Sequence, residues 1–188
     1  MNKRLVIISS LIVLLSNVVY AQGTNYAQLY DSLENPTFSY VHGIDPNQYY
    51  DNKNYAWSPY PLFRLNQEVY FKKQVIQPGY YLLTPREHEG KWYILFKENG
   101  VVKATIPCYK DEIVPANFYN ANLPKEKLTP SAKLHLKFNN FVGHVSSSSG
   151  KKSSPKTFLE IEDVDNDFVL MTVYYGNKRY YITLRSRQ

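Results

Sequence analysis

The last two thirds of the sequence consists of short runs of β-branched and aromatic residues, which are separated by residues typical of turns. Runs of this length and composition are typical of strands. The predicted strands are residues 69–76, 80–84, 91–97, 101–106, 132–138, 157–162, 168–175 and 179–185. Asn99-Gly100 predicts a tight hairpin because both residues tolerate positive φ angles, and Gly176-Asn177 predicts another turn. The pattern predicts an all-β fold, either an antiparallel β-sandwich or a small β-barrel of about eight strands.

One of these runs differs from a strand that buries a single face. In residues 91–97, Trp92, Ile94 and Phe96 share one face, while Tyr93 and Leu95 lie on the other. A strand with large apolar side chains on both faces is expected to be covered on both sides. The sequence therefore predicts that another part of the chain covers this strand, and the tyrosine-rich N-terminal segment is the candidate.

That N-terminal segment, residues 22–66, is rich in tyrosine, asparagine and proline and is called the arm below. Its apolar spacing predicts a short helix near residues 26–33, and its Asn-Pro, Asp-Pro and Ser-Pro steps predict turns. The arm is therefore expected to be largely irregular. It is also expected to lie on the sheet, because its many rings would otherwise be exposed to water. The predicted organisation is a signal peptide at 1–21, the arm at 22–66 and an antiparallel β domain at 67–188.

Residues 1–21 have the pattern of a secretory signal peptide. Lys3 and Arg4 precede an apolar run, and Ala21 follows it as a small residue suited to cleavage. The apolar run is shorter than the about 20 residues that a membrane-spanning helix needs. The sequence therefore predicts cleavage after Ala21, a periplasmic or secreted protein, and no transmembrane span after cleavage.

Positive charge is concentrated in one part of the chain. Residues 125–156 contain seven lysines and a single acid, Glu126. Within them, residues 146–156 are rich in serine and lysine and predict a flexible loop. Lys151, Lys152 and Lys156 of this loop could contact an anionic surface such as an envelope polymer or lipid headgroups. A loop that serves solubility alone has the same composition. Nucleic acid is not expected as a partner of an exported chain.

The aromatic residues of the arm are the second set of candidate binding residues. Planar rings at a surface stack on sugars or anchor a protein partner. These candidates are Tyr49, Tyr50, Tyr55, Trp57 and Tyr60. The alternative is that these rings only cover the sheet.

The sequence contains no clear catalytic or metal-binding motif. Asp163, Asp165 and Asp167 have the spacing of a calcium loop, but Phe168 replaces the loop glycine. A solvated turn is therefore expected there, and no metal or cofactor is predicted. The four histidines lack the short spacing of metal ligands. Cys108 is the single cysteine, so no intrachain disulfide can form, and its position at a strand end favours a buried thiol.

Together these features predict an exported, non-enzymatic binding or envelope-associated β module that contacts an anionic or carbohydrate surface, or a protein partner. Two alternatives stay open. One is a small cell-wall or polysaccharide hydrolase whose carboxylates come from separate strands. The other is a β-barrel that encloses an apolar ligand.

Overall fold

The computed structural model describes residues 25–55, 58–124, 154–164 and 167–186. Within them the chain folds mainly into two antiparallel sheets that pack together as a β-sandwich, which confirms the predicted fold class. The elements in chain order are α1 (Tyr26–Ser32), a 3₁₀ turn (Val41–Gly43), α2 (Gln48–Asn54), β1 (Leu62–Leu65), β2 (Val69–Phe71), β3 (Gln74–Ile76), β4 (Gly79–His88), β5 (Lys91–Glu98), β6 (Val101–Pro107), β7 (Lys110–Ile113), α3 (Phe118–Asn122), β8 (Thr157–Val164), β9 (Phe168–Tyr175) and β10 (Lys178–Arg185).

Sheet A has the strand order β1-β4-β5-β6, and sheet B has the order β3-β2-β10-β9-β8, with β7 also paired to β10. The chain crosses between the sheets after β1, after β3 and after β6. At the last crossing, the Cys108 amide still donates to the Trp92 carbonyl of sheet A (2.9 Å). The Tyr109 amide already donates to the Tyr181 carbonyl of sheet B (3.0 Å). This crossing therefore joins the two sheets along one side of the sandwich.

The inner faces of the two sheets form one hydrophobic core. Ile94 and Phe96 of β5 and Val173 and Ile182 of sheet B are fully buried in it. Alternate residues of a strand point to opposite faces, so these inner residues follow the period of two in the sequence. Buried side chains from both sheets meet in this core, as in a sandwich of two packed layers.

Seven of the eight predicted strands fall on described residues. Six of them are each part of a single strand, but the segment 69–76 is not. It divides into β2 and β3, with Lys72 at a φ of 51° in the turn. This turn contains no glycine or asparagine from which it could be predicted. The Lys72 amide donates to the Tyr30 hydroxyl of α1 (2.5 Å), and the Lys72 ammonium donates to the Asp31 carbonyl (3.1 Å). A contact with a distant helix therefore stabilises the turn, which a local pattern does not reveal.

The segment between the predicted strands 80–84 and 91–97 is mostly strand, although the sequence places a turn over residues 85–90. Strand β4 continues through Pro85 to His88, and the hairpin turn is confined to Glu89 and Gly90, both at positive φ. Strand β1 pairs with β4 only as far as Leu82, so β4 has an open edge at Pro85. A proline, which lacks an amide proton, is tolerated at such an edge. The Asn99-Gly100 turn is as predicted, with φ angles of 49° and 80°.

The arm contains a helix where one was expected and a second one, α2, that was not. The Asn25 side chain caps α1 by accepting a hydrogen bond from the Gln28 amide (3.1 Å). Strand β1 also lies within residues 22–66. The predicted strand 132–138 lies outside the described residues.

Candidate binding surface

The arm covers the outer face of sheet A, as the two-faced pattern of residues 91–97 indicated. The ring of Phe38 lies edge-on to Tyr93, with 5.0 Å between their centroids. Two residues further on the same face, Leu95 is fully buried although it lies outside the core between the sheets. Two residues beyond it, the ammonium of Lys97 contacts Asp45 of the arm. The arm is therefore a third layer of the fold on this face.

A buried ionic network attaches this layer to the sheet. The Asp45 carboxylate, with no side-chain exposure, accepts hydrogen bonds from Arg86 of β4 (3.0 Å) and Lys97 of β5 (2.9 Å). Arg86 also pairs with Asp51 of α2 and donates to the Tyr60 hydroxyl (2.7 Å). Two acids of the arm thus neutralise two cations of the sheet, as buried charges require. We call these five residues the arm clamp.

The clamp shifts the pKa values of its members in ways that its geometry explains. Burial alone would raise the pKa of Asp45, but hydrogen bonds from Arg86 and Lys97 outweigh it and hold the pKa below its ordinary value of 3.8. Burial lowers the pKa of Lys97 below its ordinary value. The hydrogen bond to Asp45 acts in the opposite direction, and repulsion from Arg86 partly offsets it. Burial raises the pKa of Tyr60, so its hydroxyl stays protonated. The network therefore contains a carboxylate that two cations share.

The arm clamp fixes the orientation of α2 and of two of the predicted binding residues. Tyr49 and Tyr50 precede the anchored Asp51, and they are 68% and 59% exposed. Their rings pack edge to face, with centroids 5.6 Å apart. Two large rings are thus held at the surface by a helix that an ion pair attaches to the sheet.

Tyr55 and Tyr60 have structural partners on sheet B. The ring of Tyr60 stacks on Tyr175 at the end of β9, with 5.2 Å between centroids. Burial is the main cause that raises the pKa of Tyr175, and the neighbouring Tyr55 raises it further. These two arm tyrosines therefore connect the arm to the end of the second sheet.

The described end of the basic loop reaches the same place. Gly176, next to Tyr175, donates its amide proton to the carbonyl of Lys156 (2.8 Å). The Lys156 side chain is exposed and its ammonium lies 5.9 Å from the ring centroid of Tyr119. The structure thus places Tyr55, Tyr60 and Lys156 around Tyr175, which we call the Tyr175 junction. Trp57, Lys151 and Lys152 lie outside the described residues.

Sequence reasoning missed the residues of the arm clamp other than Tyr60. One signal was present: Lys97 occupies the same strand face as Tyr93 and Leu95, so a covered face had to bury its charge. A buried lysine requires an acidic partner. The sequence does not show which of its acids supplies that partner.

A groove of about 580 Å³ lies on the side where the chain crosses between the sheets. Helix α1 and residues 33–37 form one wall, and the β4–β5 turn and residues 107–111 form the other. Glu34, Glu89 and Asp111 line it from three separate segments, together with His88 and Cys108. Burial is the main cause that raises the pKa of the Cys108 thiol, so this half-buried cysteine is protonated and a poor nucleophile.

The acidic segment with calcium-loop spacing, for which a solvated turn is expected, falls at the end of β8 and the start of β9. Asp163 lies in β8 and Asp167 adopts a φ of 62°, while residues 165–166 lie outside the described part of the chain. In the described ranges, no group of three or more His, Cys, Asp or Glu side chains is placed to hold a metal ion. None of the helices that the structure describes is long and apolar enough to span a membrane.

Comparisons of this chain with family models, with curated proteins and with solved structures find no match. A function can therefore be inferred only from the surfaces of the molecule described above.

Proposed function

We propose that this protein is an exported, non-enzymatic binding module that attaches to an acidic carbohydrate polymer of the cell envelope. The observation that supports this most directly is the Tyr175 junction. It brings the aromatic arm and the end of a lysine-rich segment to one end of the molecule. Aromatic rings stack on the apolar faces of sugars, and lysines attract the carboxylates that an acidic polymer carries.

Rigid presentation also supports a binding role. The arm clamp orders α2, so Tyr49 and Tyr50 need not be immobilised when a partner binds. Ordering before binding reduces the entropic cost of association. The filled core between the sheets favours a binding module over the carrier of an apolar ligand.

Charge supports an acidic partner. Residues 125–156 have a formal charge of +6, whereas the rest of the chain after residue 21 has a formal charge of −2. A basic segment on a weakly acidic body attracts a polyanion at one end. Attachment should therefore be sensitive to salt, because ions screen contacts between exposed charges.

Export is part of the proposal and has its own test. We expect the chain recovered from the periplasm or the medium to begin at Gln22, as N-terminal sequencing would show. A cytoplasmic chain that keeps Met1 would contradict the export proposal.

The polymer proposal predicts that the double variant Lys151→Gln/Lys156→Gln binds alginate beads about tenfold more weakly at 0.15 M salt, since each exposed ionic contact contributes up to about 1 kcal/mol. Tyr49→Ala/Tyr50→Ala should weaken binding by a similar factor through lost stacking. The measurement is a pull-down titration of the mature chain on alginate, with neutral dextran and polyglutamate as comparison polymers.

Each variant has a matched control. Lys73→Gln/Lys103→Gln removes two charges from the other part of the chain, and Tyr80→Ala removes a tyrosine of β4 that is 58% exposed. Both controls should bind as the unmodified chain does. Equal binding to alginate and dextran would rule out a polyanion, and equal binding to alginate and polyglutamate would rule out a role for the sugar.

The groove supports a second candidate, a hydrolase that acts on the same class of polymer. Glu34, Glu89 and Asp111 line the groove, and two-carboxylate hydrolysis uses a pair of carboxyl groups that flank the bond to be cleaved. His88 and Glu89 approach to 3.9 Å, which exceeds hydrogen-bond distance. The two candidates differ in one result: a hydrolase releases new reducing ends from the bound polymer and loses this activity in Glu34→Gln, whereas a binding module releases none.

A further inference from the structure

The outer face of sheet B carries a second cluster of aromatic and charged residues, distinct from the Tyr175 junction. A depression of about 400 Å³ lies on this face. Tyr26 of α1, Tyr109 of the crossing and Tyr181 of β10 line it, with Glu160 and Glu162 of β8. The volume is in the range of sites for small organic ligands.

The strand register explains why these groups meet. Glu160 and Glu162 are two residues apart on β8, so their side chains share a face. Glu160 lies opposite Thr172 of β9, and Thr172 lies opposite Tyr181 of β10. The rings of Tyr181 and Tyr109 have centroids 5.9 Å apart at an angle of 40°. The register therefore places Glu160 and Tyr181 on one face of the sheet, and Tyr109 packs against Tyr181 there.

The electrostatics of the depression favour a positive ligand. Glu160 accepts a hydrogen bond from the Tyr174 hydroxyl (2.6 Å), while the Glu162 side chain is exposed at the edge strand. Burial, followed by the charges of Tyr26 and Glu162, raises the pKa of Tyr109 to about 12. Glu162 thus acts electrostatically on Tyr109, and the described lining residues include no lysine or arginine.

The other side of Tyr181 shows how this face holds cations. Glu112 accepts hydrogen bonds from Tyr181 (2.7 Å) and Arg179 (2.6 Å), and Lys110 lies 2.5 Å from it. The two cationic groups lie 5.4 Å and 5.7 Å from the Tyr181 centroid. These interactions hold the pKa of Glu112 down at about 2. A carboxylate and a tyrosine therefore retain the chain's own cations on that side.

We propose that the depression binds an organic ammonium group, with the rings of Tyr26, Tyr109 and Tyr181 around the cation and Glu162 as its counter-ion. The electron-rich faces of aromatic rings attract such cations, and a quaternary ammonium has no strong hydrogen-bonding shell to lose. The arrangement repeats that around Glu112, with an external cation in place of Lys110 and Arg179. This inference does not depend on the polymer proposal.

The test is an NMR and calorimetric titration of the mature chain with choline and with 3,3-dimethylbutan-1-ol, its uncharged carbon isostere. We expect choline to bind at least about tenfold more tightly than the alcohol, because only the cation gains from the rings and the carboxylate. The resonances of the tyrosines that line the depression should shift as choline is added.

Variants separate the contributions of charge, ring and hydroxyl. Glu162→Gln should weaken choline binding several-fold, whereas Asp163→Asn, the same charge loss at the next residue on the opposite face, should not. Tyr26→Phe keeps the ring and should bind normally, while Tyr26→Leu should bind more weakly. Circular dichroism verifies that each variant is folded.

Four results would overturn the proposal. These are no choline binding up to about 50 mM, equal binding of choline and the alcohol, equal losses in Glu162→Gln and Asp163→Asn, and normal binding by Tyr26→Leu. Binding of methyl glucoside in place of choline would assign the depression to a sugar.

Discussion

Replacing Asp45 by asparagine should lower the free energy of unfolding by about 3–5 kcal/mol, measured by urea denaturation of the chain from residue 22 onward. This is the usual cost of removing one partner from a buried ion pair, because the remaining charge stays buried without compensation. In Asp45→Asn that charge is the ammonium of Lys97, which is 4% exposed. Arg86 keeps Asp51 and Tyr60 as partners and contributes less to the loss.

Two variants serve as controls for this prediction. Asp31→Asn removes an acid whose side chain is 81% exposed and 3.9 Å from Lys72, so we expect a change below about 0.5 kcal/mol. The double variant Asp45→Asn/Lys97→Met removes the unpaired charge as well and should recover part of the loss. If Asp45→Asn were no more destabilising than Asp31→Asn, the arm clamp would not stabilise the fold.

The pH dependence of stability should follow from the same group. The pKa of Asp45 is lower in the folded protein than its ordinary value of 3.8. Its contribution to stability is therefore complete above that ordinary value and is lost as the pH falls through the lowered one. The unmodified chain should lose stability below about pH 4 more steeply than Asp45→Asn does. If the free energy of unfolding fell equally steeply with pH in both proteins below about pH 4, the assigned role of Asp45 would be wrong.

Replacing Leu95 by alanine should also destabilise the protein strongly, by about 2–5 kcal/mol. Leu95 is fully buried under the arm, so the change removes apolar contacts and leaves a cavity. The matched variant is Ile94→Ala, which changes the neighbouring residue on the inner face of the same strand. The two variants should lose similar amounts of unfolding free energy, as measured by urea denaturation.

Leu62→Ala is the surface control for this pair. Leu62 of β1 is 65% exposed, so its loss should change stability by less than about 1 kcal/mol. A Leu95→Ala variant as stable as Leu62→Ala would show that the arm does not cover sheet A in solution.

The strands could be predicted from sequence because each contains its own signal, a run of β-forming residues with a period of two. The covered strand was also predictable, since Tyr93 and Leu95 are apolar on the face opposite Ile94. The turn at Lys72 was not, because its stabilising partner, Tyr30, is 42 residues away. Likewise, the continuation of β4 past Pro85 depends on where β1 ends.

The candidate site was predictable only in its residue types. The clustering of arm tyrosines and of lysines is visible in the sequence. Tyr60 and Lys156 meet at Tyr175 and its neighbour Gly176, which are far from the arm in sequence. The arm clamp joins residues 41 and 52 positions apart, and no local pattern selects Asp45 from the other acids as their partner. Long-range pairing is therefore what the sequence pattern left undetermined.

The central claim is that the arm is a layer of the fold, attached by the arm clamp, which presents its tyrosines rigidly. Native-state hydrogen exchange of the chain from residue 22 onward tests it most directly. We expect the amides of α2 to be protected in the unmodified protein. In Asp45→Asn the α2 amides should exchange much faster. The amides of β9 and β10 should keep the same relative exchange rates as in the unmodified protein. Unprotected α2 amides in the unmodified protein would contradict the claim.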